Sequence, residues 1–254
     1  MKDLFLVKLV TPFPLKCGGC GRVYEEEYPV CGECRAKLEE EAPVLYFADK
    51  ERFAFSAAAH AYYDQSAFMI RYLKYAHVSS IADIMAGDMI AAYLAFGSPE
   101  VDIVTCVPMP SLRRKFRGFN QAQLLAKHFS RSTGLTFEEL LKRTGETKQQ
   151  ARLRGRERLM NEIGAFAPRR ALNGERILLI DDVHTTGATS NECAEVLLKA
   201  GAGSVGLITY AKSLYGGIRY EGFDSGSGAG DASGADHRQG TEMSGPGQWE
   251  ADHL

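Results

Sequence analysis

Several things are missing from this 254-residue sequence, and each absence removes a class of function. No stretch approaches the eighteen or so uninterrupted apolar residues of a membrane span. The opening MKDLFLVKLVTPFPLK is broken by Lys8 and no A-x-A-like site follows, so no secretory signal is expected. No G-x-x-x-x-G-K-[ST] occurs anywhere, which removes P-loop nucleotide chemistry. An excess of one charge is also lacking, with 30 Lys and Arg against 32 Asp and Glu. Cysteine is scarce, at six, yet four of the six crowd into the first 34 positions. With 45% apolar residues, the chain is expected to be a soluble cytoplasmic protein with one substantial core and a small appended module.

That module is set by Cys17, Cys20, Cys31 and Cys34, in the pattern C-x2-C-x10-C-x2-C. Each C-x-x-C is a knuckle that aims two thiolates at one point, and two knuckles complete a tetrahedral S4 site of the structural zinc type. Two disulfides are the alternative. They are disfavoured because Cys106 and Cys193 sit in apolar patterns and nothing marks the chain as secreted. Four thiolates leave no open coordination position, so Zn2+ here would be structural and not catalytic.

Residues 177–189 read ILLIDDVHTTGAT. Continuous rather than alternating apolarity from Arg176 to Ile180 suits a strand buried on both faces of a parallel sheet. Asp181 and Asp182 then stand at its carboxyl end, where open α/β sheets bind ligands. Thr185, Thr186, Gly187, Ala188 and Thr189 form a loop opening a helix over 191–200, and such a start collects backbone N–H groups suited to a phosphate. Acceptor-only carboxylates beside an anion loop need hydroxyls or a cation to face. A phosphorylated ribose supplies the hydroxyls and the phosphate together. A capped helix start or a generic metal site are the plainer readings of Asp-Asp alone. His184, inside the same loop, is expected to shape it rather than move a proton.

Residues 107–121, VPMPSLRRKFRGFNQ, follow a second apolar strand over 101–107 and so lie at the same sheet edge. Pro108 and Pro110 fix the entry, and Arg113, Arg114, Lys115 and Arg117 match phosphate oxygens in geometry. A basic helix start facing water is the plainer alternative for some of them. From Arg113 to Arg176 there are sixteen Lys and Arg against six Asp and Glu, a basic middle suited to a pyrophosphate or a nucleic-acid backbone.

Periodicity places strands over 53–63 and 204–210, helices over 35–41, 67–74, 81–95 and 121–132, and short apolar pieces at 140–143 and 165–167. Strand–helix alternation from 101 to 210 predicts an α/β fold with a twisted, mostly parallel sheet and helices on both faces. The expected organisation is a zinc module over 1–42, the α/β domain over 43–220, and a Gly/Ser/Asp-rich disordered tail over 221–254.

These motifs fall in a telling order: the four cysteines, an LKY segment at Leu73 to Tyr75, VPMP followed by RGFNQ, the run containing Gln150, Leu153, Arg158, Asn161 and 164–166, and then DDVHTTGAT. In this order the chain resembles the competence protein ComF family of type I phosphoribosyltransferase-like proteins, over about residues 15–212. The resemblance implies that Asp181 and Asp182 hold the ribose of phosphoribosyl pyrophosphate (PRPP), that Thr185 to Thr189 hold its 5′-phosphate, and that Pro108, Pro110, Arg113, Arg114 and Arg117 hold the pyrophosphate. It further implies a mobile loop or hood around Gln150, Arg158 and Asn161, Mg2+ accompanying PRPP, and transfer of phosphoribose to an acceptor. An accessory role in DNA uptake with single-stranded DNA and competence proteins as partners is the other implied class. Ala76-His77 after the LKY segment and the long tail depart from the family pattern.

Overall fold

In the computed structural model, residues 16–23, 30–75, 80–144 and 165–214 are described. In chain order the elements are α1 (Gly32–Glu39), β1 (Val44–Leu45), β2 (Phe55–Ala61), α2 (Asp64–Tyr75), α3 (Ser80–Ala95), β3 (Ile103–Cys106), α4 (Ser111–Arg117), α5 (Gln121–Thr133), β4 (Thr136–Phe137), β5 (Leu141–Arg143), β6 (Phe166–Pro168), β7 (Arg176–His184), α6 (Ala188–Lys199) and β8 (Ser204–Lys212). Six strands form one sheet in the order β1-β2-β8-β7-β3-β4. All neighbours in it are parallel except the edge pair of β1 with β2. β5 and β6 make a separate antiparallel pair.

β7 shows why the sheet is buried on both sides. Ile177 and Leu179 enter one apolar cluster with Cys193, Ala194 and Leu197 of α6. Leu178 and Ile180 point the other way, into a cluster with Met85 and Met89 of α3 and Leu125, Ala126 and Phe129 of α5. All four aliphatic side chains are sealed from solvent, and each such burial contributes roughly 1.5–3 kcal/mol. Helices thus cover both faces, as the α/β, type I phosphoribosyltransferase-like expectation requires.

The order of strands also fixes where a ligand can sit. From β3 the chain crosses through α5 to β4 on one side, and from β7 it crosses through α6 to β8 on the other. β3 and β7 are therefore the adjacent strands at which the winding reverses, and a crevice opens beyond their carboxyl ends.

Four local expectations shift. β7 runs on to His184, so Asp181 and Asp182 lie within the strand and not past its end. The reason is that β8 continues to pair it (Asp181 with Thr209, His184 with Lys212) after β3 has stopped at the Cys106–Ile180 pair. α6 begins at Ala188, three residues earlier than its apolar spacing suggests, and α1 begins at Gly32, directly within the second cysteine knuckle. α4 is a complete helix rather than a loop with a helical start, although none of its residues is buried. Among the described residues no peptide bond is cis, and no helix is long and apolar enough to cross a membrane. The segment 221–254 lies outside the described residues.

Candidate functional site

The crevice at the β3–β7 switch is a cleft of ≈ 220 Å³. Val107 N–H donates to Ile180 O at 3.0 Å, the last rung between the two strands, and Pro108 to Pro110 then carry the chain away. Asp181 and Asp182 line the β7 wall with Thr189 from the first turn of α6. Arg113 and Arg117 line the opposite wall, because residues four apart share one face of α4. Gly118 ends α4 in the left-handed conformation, and Asn120 then caps α5 by accepting from Ala122 N–H at 3.1 Å. The same Asn120 amide donates to Val107 O at 3.0 Å, so one buried side chain pins both the entry and the exit of the basic loop.

The two carboxylates are not equivalent. Asp182 N–H donates to Asp181 Oδ1 at 2.8 Å, and Lys74 Nζ from α2 lies 2.9 Å from Asp182 Oδ2. Burial, reinforced by the neighbouring Asp182 charge, pushes the Asp181 carboxyl up to about 8, against the pull of Lys74. The Asp181 carboxyl therefore favours its protonated form, and the remaining oxygens of the pair are acceptors suited to the hydroxyls of a vicinal diol. Gln121 adds a further polar group. It is 1% exposed, lines the cleft, and its Nε2 has no partner among the described residues. A buried donor of this kind is costly unless a ligand oxygen satisfies it.

Of the Thr/Gly loop, Thr189 alone is among the residues lining the cleft; Thr185 and Thr186 are exposed, and Gly187 begins α6 at φ 82°. A Cβ on Gly187 would lie 2.7 Å from His184 Nε2, so space as well as backbone conformation demands glycine there. His184 is buried under the loop, edge-on to Phe47 at 4.8 Å, and neither ring nitrogen has a partner among the described residues. Burial, with the Lys212 charge, holds it down at about 4, so it is neutral in ordinary buffers. Lys212, at the end of β8, donates to Thr185 O at 3.2 Å and sets a positive charge beside the Thr/Gly loop.

Of the residues singled out in the sequence, Pro108, Pro110, Arg113, Arg117, Asp181, Asp182 and Thr189 meet in the cleft. Arg114, one step further around α4, lines a neighbouring hollow instead. Gln150, Arg158 and Asn161 lie outside the described residues; the antiparallel pair β5–β6 stands on either side of that segment.

Cys17, Cys20, Cys31 and Cys34 bring their Sγ atoms within 4.8 Å of one another, a cluster able to hold a metal ion. The edge of a ZnS4 tetrahedron with bonds of about 2.3 Å is about 3.8 Å, which this spacing accommodates. Cys17 Sγ accepts from the N–H groups of Gly19 and Cys31, both at 3.2 Å. Burial alone would raise this thiol, but the backbone donors outweigh it and hold it below its ordinary value. Gly19 is needed for the close turn, since a Cβ there would lie 2.6 Å from Cys34 Cβ.

No motif marks Lys74, Gln121 or Lys212 as a ligand-facing residue. Lys74 was visible in the LKY segment and Gln121 at the end of RGFNQ, but only the fold brings them to the carboxylates.

No family model matches the chain. Among curated proteins, it is 29% identical over 203 residues to the DNA utilization protein YhgH of Escherichia coli O157:H7, covering 78% of this chain and 84% of that one. It is 27% identical over 198 residues both to the competence protein ComFC of Bacillus subtilis (78% of each chain) and to competence protein F of Haemophilus influenzae (73% of this chain, 85% of that one). Among solved structures it is similar to the allosteric regulatory enzyme of purine biosynthesis, with 20% identity, a TM-score of 0.39, and coverage of 56% of this chain and 30% of that one. It is also similar to a purine phosphoribosyltransferase from Pyrococcus horikoshii Ot3, with 14% identity, a TM-score of 0.35, and coverage of 57% and 93%. The chain thus spans less than a third of the first of these structures. Likeness this distant leaves the architecture to be read from the strand order itself.

Proposed function

The chain is a relative of the ComF competence proteins, and on that footing we propose that it binds PRPP in the Asp181–Asp182 cleft and transfers phosphoribose to an acceptor, releasing pyrophosphate, in a process linked to DNA uptake. The observation that carries this reading is the pairing of chemistries across one cleft. A diol-matching carboxyl pair and the start of α6 stand on one wall, and Arg113 and Arg117 stand on the other. Asp181 and Asp182 would hold the ribose hydroxyls, Thr185 to Thr189 the 5′-phosphate, and Pro108, Pro110, Arg113 and Arg117 the pyrophosphate. As the acceptor attacks C1 and the C1–O bond to pyrophosphate breaks, Arg113 and Arg117 stabilise the charge gathering on the departing oxygens. Asn120 ties together the two ends of the segment that carries those arginines, and positioning of this kind would supply most of the rate.

Mg2+ would enter with PRPP. Asp182 is already engaged by Lys74 and Asp181 favours its proton, so the cleft offers few protein oxygens to a bare dication, and Mg2+ binds readily through phosphate oxygens and water. It would screen the pyrophosphate charge. The four-cysteine cluster would hold Zn2+ as a structural ion.

Calorimetric titration with PRPP and Mg2+, followed by pyrophosphate release in the presence of pooled nucleobases, amines and oligonucleotides, tests the reading. Binding and acceptor-dependent release, both lost in Asp181→Ala/Asp182→Ala, are expected. Equal PRPP affinity in that folded variant would sink it.

A second reading, an accessory protein that binds single-stranded DNA with PRPP as a regulatory ligand, is favoured by one observation. Phe116 on α4 is 89% exposed amid Arg113, Lys115 and Arg117. An exposed aromatic among cations suits base stacking beside phosphate contacts. Salt-steep DNA binding that weakens in Phe116→Ala, without pyrophosphate release, would support this reading over the first.

A further inference from the structure

Beside the cleft, on the β3–β4 side of the Pro108–Met109 turn, lies a larger hollow of ≈ 300 Å³ that the proposed reaction leaves unused. Its walls carry Arg114 from α4, Lys142 and Arg143 from β5, and Arg169 just past β6. Four cations from three segments meet there. The only carboxylate among the lining residues is Glu139, and it is already held by Arg169 at 3.2 Å and by the Gln123 amide.

Arg170 bridges Glu138 and Glu175, and Arg176 pairs with Asp102. Arg114, Lys142 and Arg143, by contrast, form no ion pair among the described residues. Arg143 is held over the Phe166 ring at 5.1 Å, which fixes its place between the hollow and the cleft. Converging unpaired cations repel one another, and an anion seated among them relieves that repulsion. The floor has no metal-like character: burial pushes the Cys106 thiol up to about 12, so it stays protonated. Ser111 and Asn120 add neutral polar edges.

The helical turn of α4 is what separates the two cavities. Arg113 and Arg117 share the face over the Asp181–Asp182 cleft, and Arg114 faces the hollow. We propose that the hollow is a second phosphate site, which seats a phosphomonoester carried by a molecule other than the one in the cleft. A phosphomonoester brings close to two negative charges and three acceptor oxygens, which suits several cations with arginine forks among them. Where this rests on the proposed transfer reaction, it makes the acceptor a phosphorylated one, since Pro108, Met109, Asn120 and Arg143 line both cavities. The phosphate group can come from a free mononucleotide or from the 5′ end of a strand.

The test uses the full chain at low salt. Thymidine 5′-monophosphate is titrated against thymidine, and 3′-labelled pentathymidylate with a 5′-phosphate against the same strand without it. The phosphorylated form of one or both pairs should bind at least about tenfold tighter, and whichever pair shows the advantage identifies the source. Arg114 and Lys142 are exposed, so Arg114→Ala/Lys142→Ala should fold and should lose the advantage. Asp181→Asn/Asp182→Asn should keep it. No advantage for either phosphate, or an advantage that survives Arg114→Ala/Lys142→Ala, overturns the second site. An advantage lost only in Asp181→Asn/Asp182→Asn also overturns it, by moving the phosphate into the cleft. Unchanged PRPP affinity in the aspartate variant would sink the cleft assignment and leave the second site standing.

Discussion

Lys74 and Asp182 are joined by an ion pair of 2.9 Å that ties the last turn of α2 to the carboxyl end of β7. Both side chains are largely shielded, 23% and 16% exposed, so the attraction is screened far less than at an open surface. A cation is therefore resident on the carboxyl pair before any ligand arrives. It orients Asp182 and lowers the proton affinity of Asp181.

Lys74→Met removes that charge and lets Asp181 keep its proton to still higher pH. PRPP affinity at pH 7 should fall by roughly tenfold, about 1.4 kcal/mol, and the pH dependence of binding should move upward. Calorimetry with PRPP and Mg2+ across pH 6 to 9 measures both. An unchanged pH profile would remove Lys74 from the site.

Asp181 also makes stability depend on pH. Its folded-state value is raised, to about 8 against an ordinary 3.8, so the folded chain binds this proton more tightly than the unfolded chain. The resulting stabilisation is complete below pH 3.8 and is lost as pH rises through about 8. Asp181→Asn cannot ionise and lacks this slope. Its melting temperature relative to the parent should rise steadily from pH 5 to pH 8.5, and a constant difference across that range would contradict the assignment.

Gln121 is the other group whose chemistry asks for a ligand, because its Nε2 is sealed within the protein without a partner among the described residues. Gln121→Leu keeps the volume near and removes the unsatisfied donor. The variant should melt at or above the parent temperature yet bind PRPP several-fold more weakly, at a cost of about 1–2 kcal/mol for a lost hydrogen bond. Equal affinity would make Gln121 a structural residue.

What could be read in the sequence follows from where each signal is local. β7 was legible because Ile177 to Ile180 are apolar without interruption and the carboxylates follow directly. The four cysteines were legible because their spacing is itself the geometry of the cluster. Lys74 was not, since its meeting with Asp182 depends on how α2 lies against the sheet. The division of labour between Arg113 and Arg114 was hidden for a related reason. α4 buries none of its residues, so no apolar period marks it as a helix, and without the helix the two arginines look interchangeable. β1 and β4 are two-residue edges whose existence rests on pairing alone.

The cysteine cluster and the cleft share α2. Cys17, Val30, Cys34 and Leu38 are buried in the same apolar cluster as Met69, Ile70 and Leu73 of α2. The Phe68 ring packs closely against Gly21, where an added Cβ would lie 2.8 Å from it. Lys74 follows Leu73 directly, so the knuckle segment that a bound metal would staple packs against the helix from which Lys74 reaches Asp182. The purified chain should contain about one zinc, because binding to four thiolates is coupled to folding of the knuckles. Cys31→Ser, or a strong chelator added to the parent protein, should remove the metal, lower the melting temperature by roughly 5–10 °C and weaken PRPP binding several-fold. Cys193→Ser, in the opposite apolar cluster, should retain its zinc. Metal analysis, thermal melts and PRPP titration on the three preparations check the chain of dependence. A metal-free protein with unchanged melting and unchanged PRPP affinity would break the link between the cysteine cluster and the cleft.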